Sequence, residues 1–366
     1  MRLTLVIPSL AGGGAERVLS TLANYWQGMG RGVTLLTYDD GTVPPFYGLD
    51  PDIRHVPLGI AQDSRHFVAG VRNNLRRVSA LRAALRGSAP DAVVSFLEQT
   101  NVLTLLATRG SGTPAVVSER MDPASYRVGA AWERARRWTY PSASAVVVQT
   151  QRAADYFPRS LRPRVRVIPN PVVPPPVTKD PSGGPSPRPA LIAMGRLHPQ
   201  KGFDLLLRAF AGTRELHPEW SLTILGEGPS RAELEALRDR LGLAGCVSLP
   251  GRVKAPDAFL ARADVFVMPS RFEGFPNALC EAMACGLPSI SADCPSGPRE
   301  IIRHGVDGLL VPKEDVGALA AALRRLMSDA GERRRLARRA PEVTERFSPD
   351  KVLGMWEELL GHVTRR

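Results

Sequence analysis

Two carboxylates, Glu273 and Glu281, lie on either side of a predicted helix start. Pro276 and Asn277 are typical of a first helical turn, and Gly286 is typical of the residue that ends a helix. The free N–H groups of a helix N-terminus attract an anion, and a carboxylate can accept hydrogen bonds from the hydroxyls of a sugar ring. The pattern favours a ribose, a diphosphate and a hexose bound in a row. The alternative is one surface glutamate and one helix-capping glutamate.

A second candidate segment runs from Gly195 to Gly202. A predicted strand ends at Gly195 and a helix begins near Gly202, so that Arg196 and Lys201 flank the turn between them. An arginine fork and a lysine charge beside a helix N-terminus suit a diphosphate. The alternative is that both side chains are solvated loop cations.

A glycine-rich turn, Gly12-Gly13-Gly14, joins the first predicted strand to the first predicted helix. Glycines allow the backbone to approach a ligand closely. Arg17 occupies the position of the last glycine in Gly-x-Gly-x-x-Gly, which argues against a dinucleotide-binding fingerprint.

The elements that must position these residues alternate along the chain. Near-continuous apolar strands separated by amphipathic helices predict parallel sheets covered on both faces. Strands are predicted at 3–10, 33–38, 92–96, 115–119, 145–149, 165–168, 190–194, 221–225, near Val247, 265–268 and 289–291, and helices at 15–29, 203–216, 231–241 and 350–363.

A proline-rich stretch divides this alternation into two halves. Nine of the 21 residues from Pro169 to Pro189 are proline, which excludes a helix or a central strand. We therefore predict a first domain at 1–172, a linker at 173–189 and a second domain at 190–348, with the helix at 349–366 packing back on the first domain. The predicted fold class is α/β, with two doubly wound, Rossmann-like domains facing each other across a cleft, where ligands bind beyond the strand ends.

Composition and charge restrict the classes of function that the protein can have. The hydrophobic fraction of 43% is that of a soluble globular protein, and no apolar run is long enough to span a bilayer, so a cytoplasmic protein is expected. The formal charge of +12 fits nucleic acid, an anionic membrane or a phosphate-bearing substrate. The four cysteines lack zinc or disulfide spacing, and Asp50-Pro51-Asp52 is interpreted as a loop, so no metal is expected.

The stretch between Asp63 and Asp91 has no acidic residue and predicts a basic amphipathic helix. Such a helix suits a membrane surface or a phosphate-bearing acceptor, and the alternative is a solvated arginine face. Its arginines are Arg65, Arg72, Arg76, Arg77, Arg82 and Arg86, and its apolar residues are Phe67, Val71, Leu75, Val78, Leu81 and Leu85. A second basic cluster combines Arg134, Arg136 and Arg137 with Trp132 and Trp138.

The three candidate segments together resemble family 4 of the retaining glycosyltransferases, which have the GT-B fold. The resemblance covers nearly the whole chain, is strongest over 194–312, and has the Glu-x7-Glu pair at Glu273 and Glu281 as its most specific motif. It implies a metal-independent reaction in which a nucleotide sugar is a substrate and no cofactor is needed.

The resemblance also implies roles for individual residues. Arg196 and Lys201 would bind the donor diphosphate and stabilise the leaving group, Glu281 would hold the ribose, and Glu273 would hold the transferred sugar. The residues expected to complete the donor site are Gly13 and Gly14 from the first domain, Arg252 and Val253 against the base, and Gly274, Phe275, Pro276 and Asn277 around the sugar.

The acceptor side departs from the family pattern. Many members have a histidine where this chain has Glu119 and Arg120, although subgroups that act on lipid-linked sugars are similar to it in having Ser-Glu-Arg. Glu119 is therefore a candidate catalytic residue that acts on the acceptor hydroxyl, orients a loop or holds the donor. Glu98, at the end of a predicted strand, is a candidate acceptor contact, together with Arg72, Arg76 and Arg77.

These features predict a retaining glycosyltransferase. It would move a hexose or N-acetylhexosamine, with UDP as the expected nucleotide, to a lipid-diphosphate-linked or polysaccharide acceptor on the inner face of the membrane. A sugar-nucleotide epimerase on the same fold is the first alternative. A basic nucleic-acid-binding protein is the second, and it lacks the aromatic, zinc and helix-turn-helix patterns of that class.

Overall fold

The computed structural model describes residues 1–61, 67–178 and 188–365. Within these ranges the chain divides into two compact units, the first formed by Met1–Asn170 with Asp350–Arg366 and the second by Pro171–Pro349. Most of the predicted linker, residues 179–187, lies outside the described residues, as does Arg65. None of the described helices has both the length and the apolarity that crossing a bilayer requires.

The first unit contains a seven-stranded sheet in the order β3-β2-β1-β4-β5-β6-β7, with every neighbouring pair parallel. Its strands are β1 (Arg2–Ile7), β2 (Gly32–Thr37), β3 (Arg54–Pro57), β4 (Ala92–Phe96), β5 (Ala115–Ser118), β6 (Ala145–Val148) and β7 (Val165–Val167). Its helices before the second unit are α1 (Gly14–Gly28), α2 (Phe67–Ser88), α3 (Glu98–Thr108), α4 (Ala130–Thr139) and α5 (Gln151–Asp155).

The second unit contains a six-stranded parallel sheet in the order β10-β9-β8-β11-β12-β13. Its strands are β8 (Ala190–Met194), β9 (Ser221–Leu225), β10 (Val247–Gly251), β11 (Val265–Met268), β12 (Ser289–Asp293) and β13 (Gly308–Pro312). Its helices are α6 (Phe203–Ala211), α7 (Arg231–Arg240), α8 (Pro256–Leu260), α9 (Asn277–Ala284), α10 (Pro298–Ile301), α11 (Val316–Ser328), α12 (Ala330–Arg339) and α13 (Val343–Arg346).

Both sheets are covered on two faces, as their apolar strands predict. In the second unit Leu191 and Ala193 of β8 pack with α6, α7 and α11, whereas Ile192 between them packs with α9 on the other side. This alternation along one strand is the period-two pattern of a central strand buried on both faces.

The last helix, α14 (Pro349–Thr364), belongs to the first unit. Its apolar stripe packs into the cluster formed by α1 and the first sheet, where Trp356 lies edge-on to Trp26 with ring centroids 6.1 Å apart. The indole N–H of Trp26 donates to Glu357 Oε1 at 2.7 Å, so the buried indole is also satisfied.

Several sequence predictions need correction. The strands β3 and β13 were not predicted, and each lies at an edge of its sheet. The helix predicted at 203–216 ends at Ala211, because its C-cap residue is Gly212 and glycine is a poor helix former. Glu98 does not end a strand but is the first residue of α3.

Candidate functional site

The strand order of the second unit reverses direction between β8 and β11, which lie side by side. In doubly wound sheets, ligands bind at the carboxyl ends of the two strands at this switch point. The loop after β8 contains Arg196 and Lys201, and the loop after β11 leads through Glu273 into α9. The two predicted donor-binding segments therefore lie at the switch point of one sheet.

An ion pair joins the two loops directly. Lys201 Nζ lies 2.6 Å from Glu273 Oε1, and the exposed fractions of the two side chains are 21% and 6%. The Ser270 hydroxyl donates to the same oxygen at 2.6 Å. Glu273 Oε2 accepts no hydrogen bond from a described residue. A nearly buried carboxylate therefore has one oxygen engaged twice and a second oxygen with no donor among the described residues.

Further contacts fix this geometry. The guanidinium of Arg271 donates to both carboxylate oxygens of Asp204 at 2.8 Å, and Gln200 Nε2 donates to the Phe272 carbonyl at 2.9 Å. A bidentate arginine–carboxylate pair fixes orientation as well as distance. Neither Arg271 nor Asp204 was predicted to have a role, because residues 67 positions apart form no local pattern.

Two glycines are required for these close approaches. Gly202 has φ +66°, and a Cβ there would lie 2.2 Å from the Pro269 carbonyl oxygen. Gly297, with φ +91°, lies against the Gly274 carbonyl, where a Cβ would come within 2.7 Å. The loop after β12 therefore supports the segment that carries Glu273.

The other predicted donor residues of this unit occupy varied positions. Arg196 is exposed and makes no hydrogen bond or ion pair with any residue that the structure describes, whereas Glu281 is half-buried on the second turn of α9. Gly274, Phe275 and Pro276 are buried and Asn277 begins α9, whose N-terminus has no side-chain cap. After β10, Arg252 is exposed, while Val253 packs partly against the apolar cluster beneath α9.

In the first unit, the glycine-rich turn follows β1 at the corresponding switch point, beside β4. Gly13 has an extended backbone and is the residue before α1, which begins at Gly14. The carboxylate of Glu16 folds back against Gly13. The backbone of the turn is half-buried to exposed, as an approach by a ligand requires.

Glu98 and Glu119 form a buried carboxyl cluster at the ends of β4 and β5. Glu119 is fully buried; its Oε1 accepts from the Tyr140 hydroxyl at 2.5 Å and from Arg136 Nη1 at 3.4 Å. Glu98 Oε1 and Glu119 Oε2 are buried and have no donor among the residues that the structure describes. One proton held between the two carboxyl groups would satisfy both oxygens.

The electrostatics of the carboxyl cluster favour that proton. Burial, with the negative charge of Glu98, raises the pKa of Glu119 to about 8, although Arg136 opposes the shift. Burial also raises the pKa of Glu98. The residue before Glu98, Leu97, has φ +76°, a backbone strain of the kind that clusters at functional sites.

Arg120, next to Glu119, is buried without a carboxylate partner among the described residues. Its guanidinium lies 4.4 Å from the Phe96 ring centre and donates to Asn170 and to the Ser118 hydroxyl. Burial lowers the pKa of Arg120 to about 9. The Ser118-Glu119-Arg120 segment is thus held inside the first unit by polar contacts on both sides.

The basic helix is α2, but its faces differ from the prediction. Leu81 and Leu85 are buried, whereas Val71 and Leu75 are 47% and 66% exposed. Arg72, Arg76 and Arg86 are exposed. Arg77 donates to the Ile60 carbonyl, and Arg82 donates to the carbonyls of Leu106 and Ala107 near the end of α3. Only part of the arginine set therefore faces solvent.

Known proteins resemble the chain over nearly all of its length. A family model described as "Glycosyl transferases group 1" matches residues 177–343, and one described as "Glycosyl transferase 4-like domain" matches residues 13–171. An N-acetylgalactosaminyltransferase of Campylobacter jejuni, named for a diphospho-undecaprenol-linked acceptor, is 29% identical over 99% of both chains. An exopolysaccharide phosphotransferase of Streptomyces coelicolor is 39% identical over 62% of this chain, but the match spans only 24% of that protein.

Solved structures show the same fold. Sucrose-phosphate synthase of Thermosynechococcus elongatus superimposes with a TM-score of 0.85 at 20% identity, covering 99% of this chain and 98% of the other. HepE of Anabaena, solved with UDP and glucose, gives a TM-score of 0.78 at 20% identity, over 99% and 100% of the two chains. These likenesses confirm the predicted GT-B fold class.

Proposed function

Because the chain belongs to the group 1 glycosyltransferases, we propose that it transfers a hexose or N-acetylhexosamine from a UDP-sugar to a lipid-linked or polysaccharide acceptor, with retention of anomeric configuration. The observation that supports this reaction best is the carboxylate of Glu273. One oxygen is engaged by Lys201 and Ser270, and the second has no described donor. A nearly buried acceptor of this kind suits the hydroxyls of the transferred sugar.

The cations beside Glu273 suit the leaving group. When the bond between the anomeric carbon and the diphosphate oxygen breaks, negative charge develops on the diphosphate. Lys201 and Arg196, which has no ion-pair partner among the described residues, supply positive charge there, and the N-terminus of α9, which has no side-chain cap, adds aligned N–H groups. Glu281, farther along α9, accepts from the ribose hydroxyls. We propose that these groups make the reaction metal-independent.

The identities of donor and acceptor are proposed from relatives. The full-length Campylobacter relative is named as a transferase of N-acetylgalactosamine to a glycan on diphospho-undecaprenol. The HepE structure contains UDP and glucose. The UDP in the HepE structure agrees with a UDP-sugar donor, and the name of the Campylobacter relative agrees with a lipid-diphosphate acceptor.

The exposed face of α2 supports action at the inner surface of the membrane. Val71 and Leu75 are exposed on this face one turn apart, and Arg72 and Arg76 are exposed directly beside them. Apolar side chains next to arginines suit the interface of an anionic bilayer, where each cation near the surface contributes about 1 kcal/mol.

For the carboxyl cluster, we propose a positioning role. Because Glu119 is fully buried and is held by Tyr140 and Arg136, the role of orienting a loop fits it better than direct contact with a substrate. Glu98 lies in the same cluster and is also buried.

The proposed reaction can be tested with the purified protein. It is incubated with UDP-glucose, UDP-galactose and their N-acetylated forms, with undecaprenyl-diphosphate-linked saccharides as acceptors. We expect one donor to give a lengthened lipid-linked product, with an α-linkage from an α-linked donor by NMR. Lys201→Ala should lower the rate of its formation by about 10²–10³. Product with a β-linkage would exclude retention. Interconversion of the UDP-sugars without transfer would favour the epimerase.

A further inference from the structure

A cavity of about 570 Å³ lies in the first unit, and none of the predicted donor-binding residues lines it. Its walls come from the end of α4, the turn that follows it and the segment 156–164 before β7. The volume is within the range of small-molecule sites. The glycine-rich turn, α2, Glu98 and Glu119 do not line the cavity.

The floor of the cavity is aromatic and apolar. Tyr140, Phe157 and Leu161 are buried there, and the rings of Tyr140 and Phe157 are stacked at 6.1 Å. Tyr156, at 37% exposure, stands edge-on to Phe157. Flat aromatic walls with hydroxyls at their edges suit a ring that has apolar C–H faces and polar substituents.

The cations of the cavity have no acidic counterpart among its lining residues. Arg137 is exposed on the rim and makes no hydrogen bond or ion pair with any described residue. Arg164 is held at the rim because its Nη1 donates to the carbonyls of Pro141 and Ala143 at 2.6 and 2.8 Å. The rim therefore presents two positive charges, one of them fixed in position, and suits an anion.

Arg136, the third arginine of the lining, is buried and forms ion pairs with Glu133 and Glu119. It is 3% exposed and donates to Glu133 Oε2 at 2.6 Å and to the Tyr156 hydroxyl at 2.5 Å, in addition to its contact with Glu119. These bonds fix the Tyr156 ring as a wall of the cavity. A pocket whose wall is held in this way is preorganised, which lowers the cost of binding a ligand.

We propose that this cavity is a second binding site, for a sugar ring that carries an anionic group, either a carboxylate or a phosphate ester. The ring lies against Tyr140, Tyr156 and Phe157, and the anion lies between Arg137 and Arg164. The Ser160 hydroxyl, also on the rim, is available to a ring hydroxyl. The site does not depend on which reaction the second unit supports.

Binding of probes to the intact protein tests the proposal. Glucose 1-phosphate, glucuronate, glucose and inorganic phosphate are titrated by calorimetry and by saturation-transfer NMR, with UDP present in excess. We expect glucose 1-phosphate or glucuronate to bind at least tenfold more tightly than glucose or phosphate alone. Which of the two binds better distinguishes a phosphate ester from a carboxylate. Equal binding of charged and neutral sugars, or no binding of any probe, would overturn the proposal.

Variants then locate the binding. Arg137→Glu should weaken it at least tenfold, and Ser160→Trp should block the cavity. Arg134→Glu is the matched control, because Arg134 is exposed on the same helix but does not line the cavity. If Ser160→Trp does not fold, the comparison of Arg137→Glu with Arg134→Glu still decides. Equal binding by these two arginine variants would refute the site.

Discussion

Because Lys201 is ion-paired with Glu273, replacing Lys201 should have two effects that can be measured separately, one on stability and one on turnover. Replacing Lys201 by alanine leaves the Glu273 carboxylate, with a side chain only 6% exposed, with the Ser270 hydroxyl as its remaining described donor. Removing one partner of a buried pair leaves an uncompensated charge, so Lys201→Ala should lower the free energy of unfolding.

The magnitude follows from the burial of the pair. Fully buried pairs lose about 3–5 kcal/mol when one partner is removed, and the 21% exposure of Lys201 places this pair near the lower value, about 3 kcal/mol. In a domain of this size each kcal/mol shifts Tm by about 2–4 °C, so the transition of the second unit should fall by about 6–12 °C. Turnover should fall by about 10²–10³ if Lys201 stabilises the leaving diphosphate.

A double variant distinguishes the two effects. Lys201→Ala combined with Glu273→Gln removes the stranded charge, so most of the lost Tm should return while turnover stays low. Calorimetry measures the first quantity, and release of UDP from the donor measures the second. Lys313→Ala, at an exposed lysine of the same unit, is the control. A double variant no more stable than Lys201→Ala would refute the pairing argument, and unchanged turnover in Lys201→Ala would refute the role in catalysis.

Three further predictions concern other residues. Glu281→Ala should weaken UDP binding about tenfold or more, which would be measured as a smaller rise in Tm when UDP is added. An unchanged rise in Tm would show that Glu281 does not bind the ribose. The double variant Arg72→Glu with Arg76→Glu should bind vesicles that contain anionic lipid less tightly than Arg86→Glu on the same helix. Equal binding by the two variants would show that this face of α2 does not bind the membrane. The pKa of Glu119, raised to about 8 in the folded protein, lies above its unfolded value, so the folded state retains a proton that the unfolded state loses. Stability should therefore fall between about pH 4.5 and 8, by up to about 1.4 kcal/mol per pH unit. Glu119→Gln should flatten this decline, and an unchanged pH profile by thermal denaturation would show that Glu119 does not hold the proton.

Burial decides which elements could be predicted from sequence. Central strands such as β8 and β11 are buried on both faces, and the boundaries predicted from their apolar runs agree with the structure. The strand β3 lies at a sheet edge, and its sequence Arg-His-Val-Pro is only half-buried, so it has no apolar run to detect. The helix α3 is buried nearly all round, including Thr100, Asn101 and Thr104, and thus lacks an amphipathic period.

In the candidate donor site, too, sequence patterns predicted single residues but not their long-range contacts. Local spacing and the resemblance identified Arg196, Lys201, Glu273 and Glu281, since these residues lie in strand-to-helix loops with recognisable glycines and prolines. Spacing could not show that Lys201 pairs with Glu273 across 72 residues, because that contact depends on β8 and β11 being neighbours. The cavity bounded by Arg137 and Arg164 was also not predicted. Its walls come from the end of α4 and from the segment 156–164, and their packing against each other leaves no local sequence pattern.

A crystal structure of the protein soaked with UDP would show the donor site itself. We expect the diphosphate to contact Lys201 and Arg196, near the N-terminus of α9, and the ribose hydroxyls to be hydrogen-bonded to Glu281. UDP bound at another position, or bound at the end of β8 without contacting these side chains, would contradict the proposed donor site.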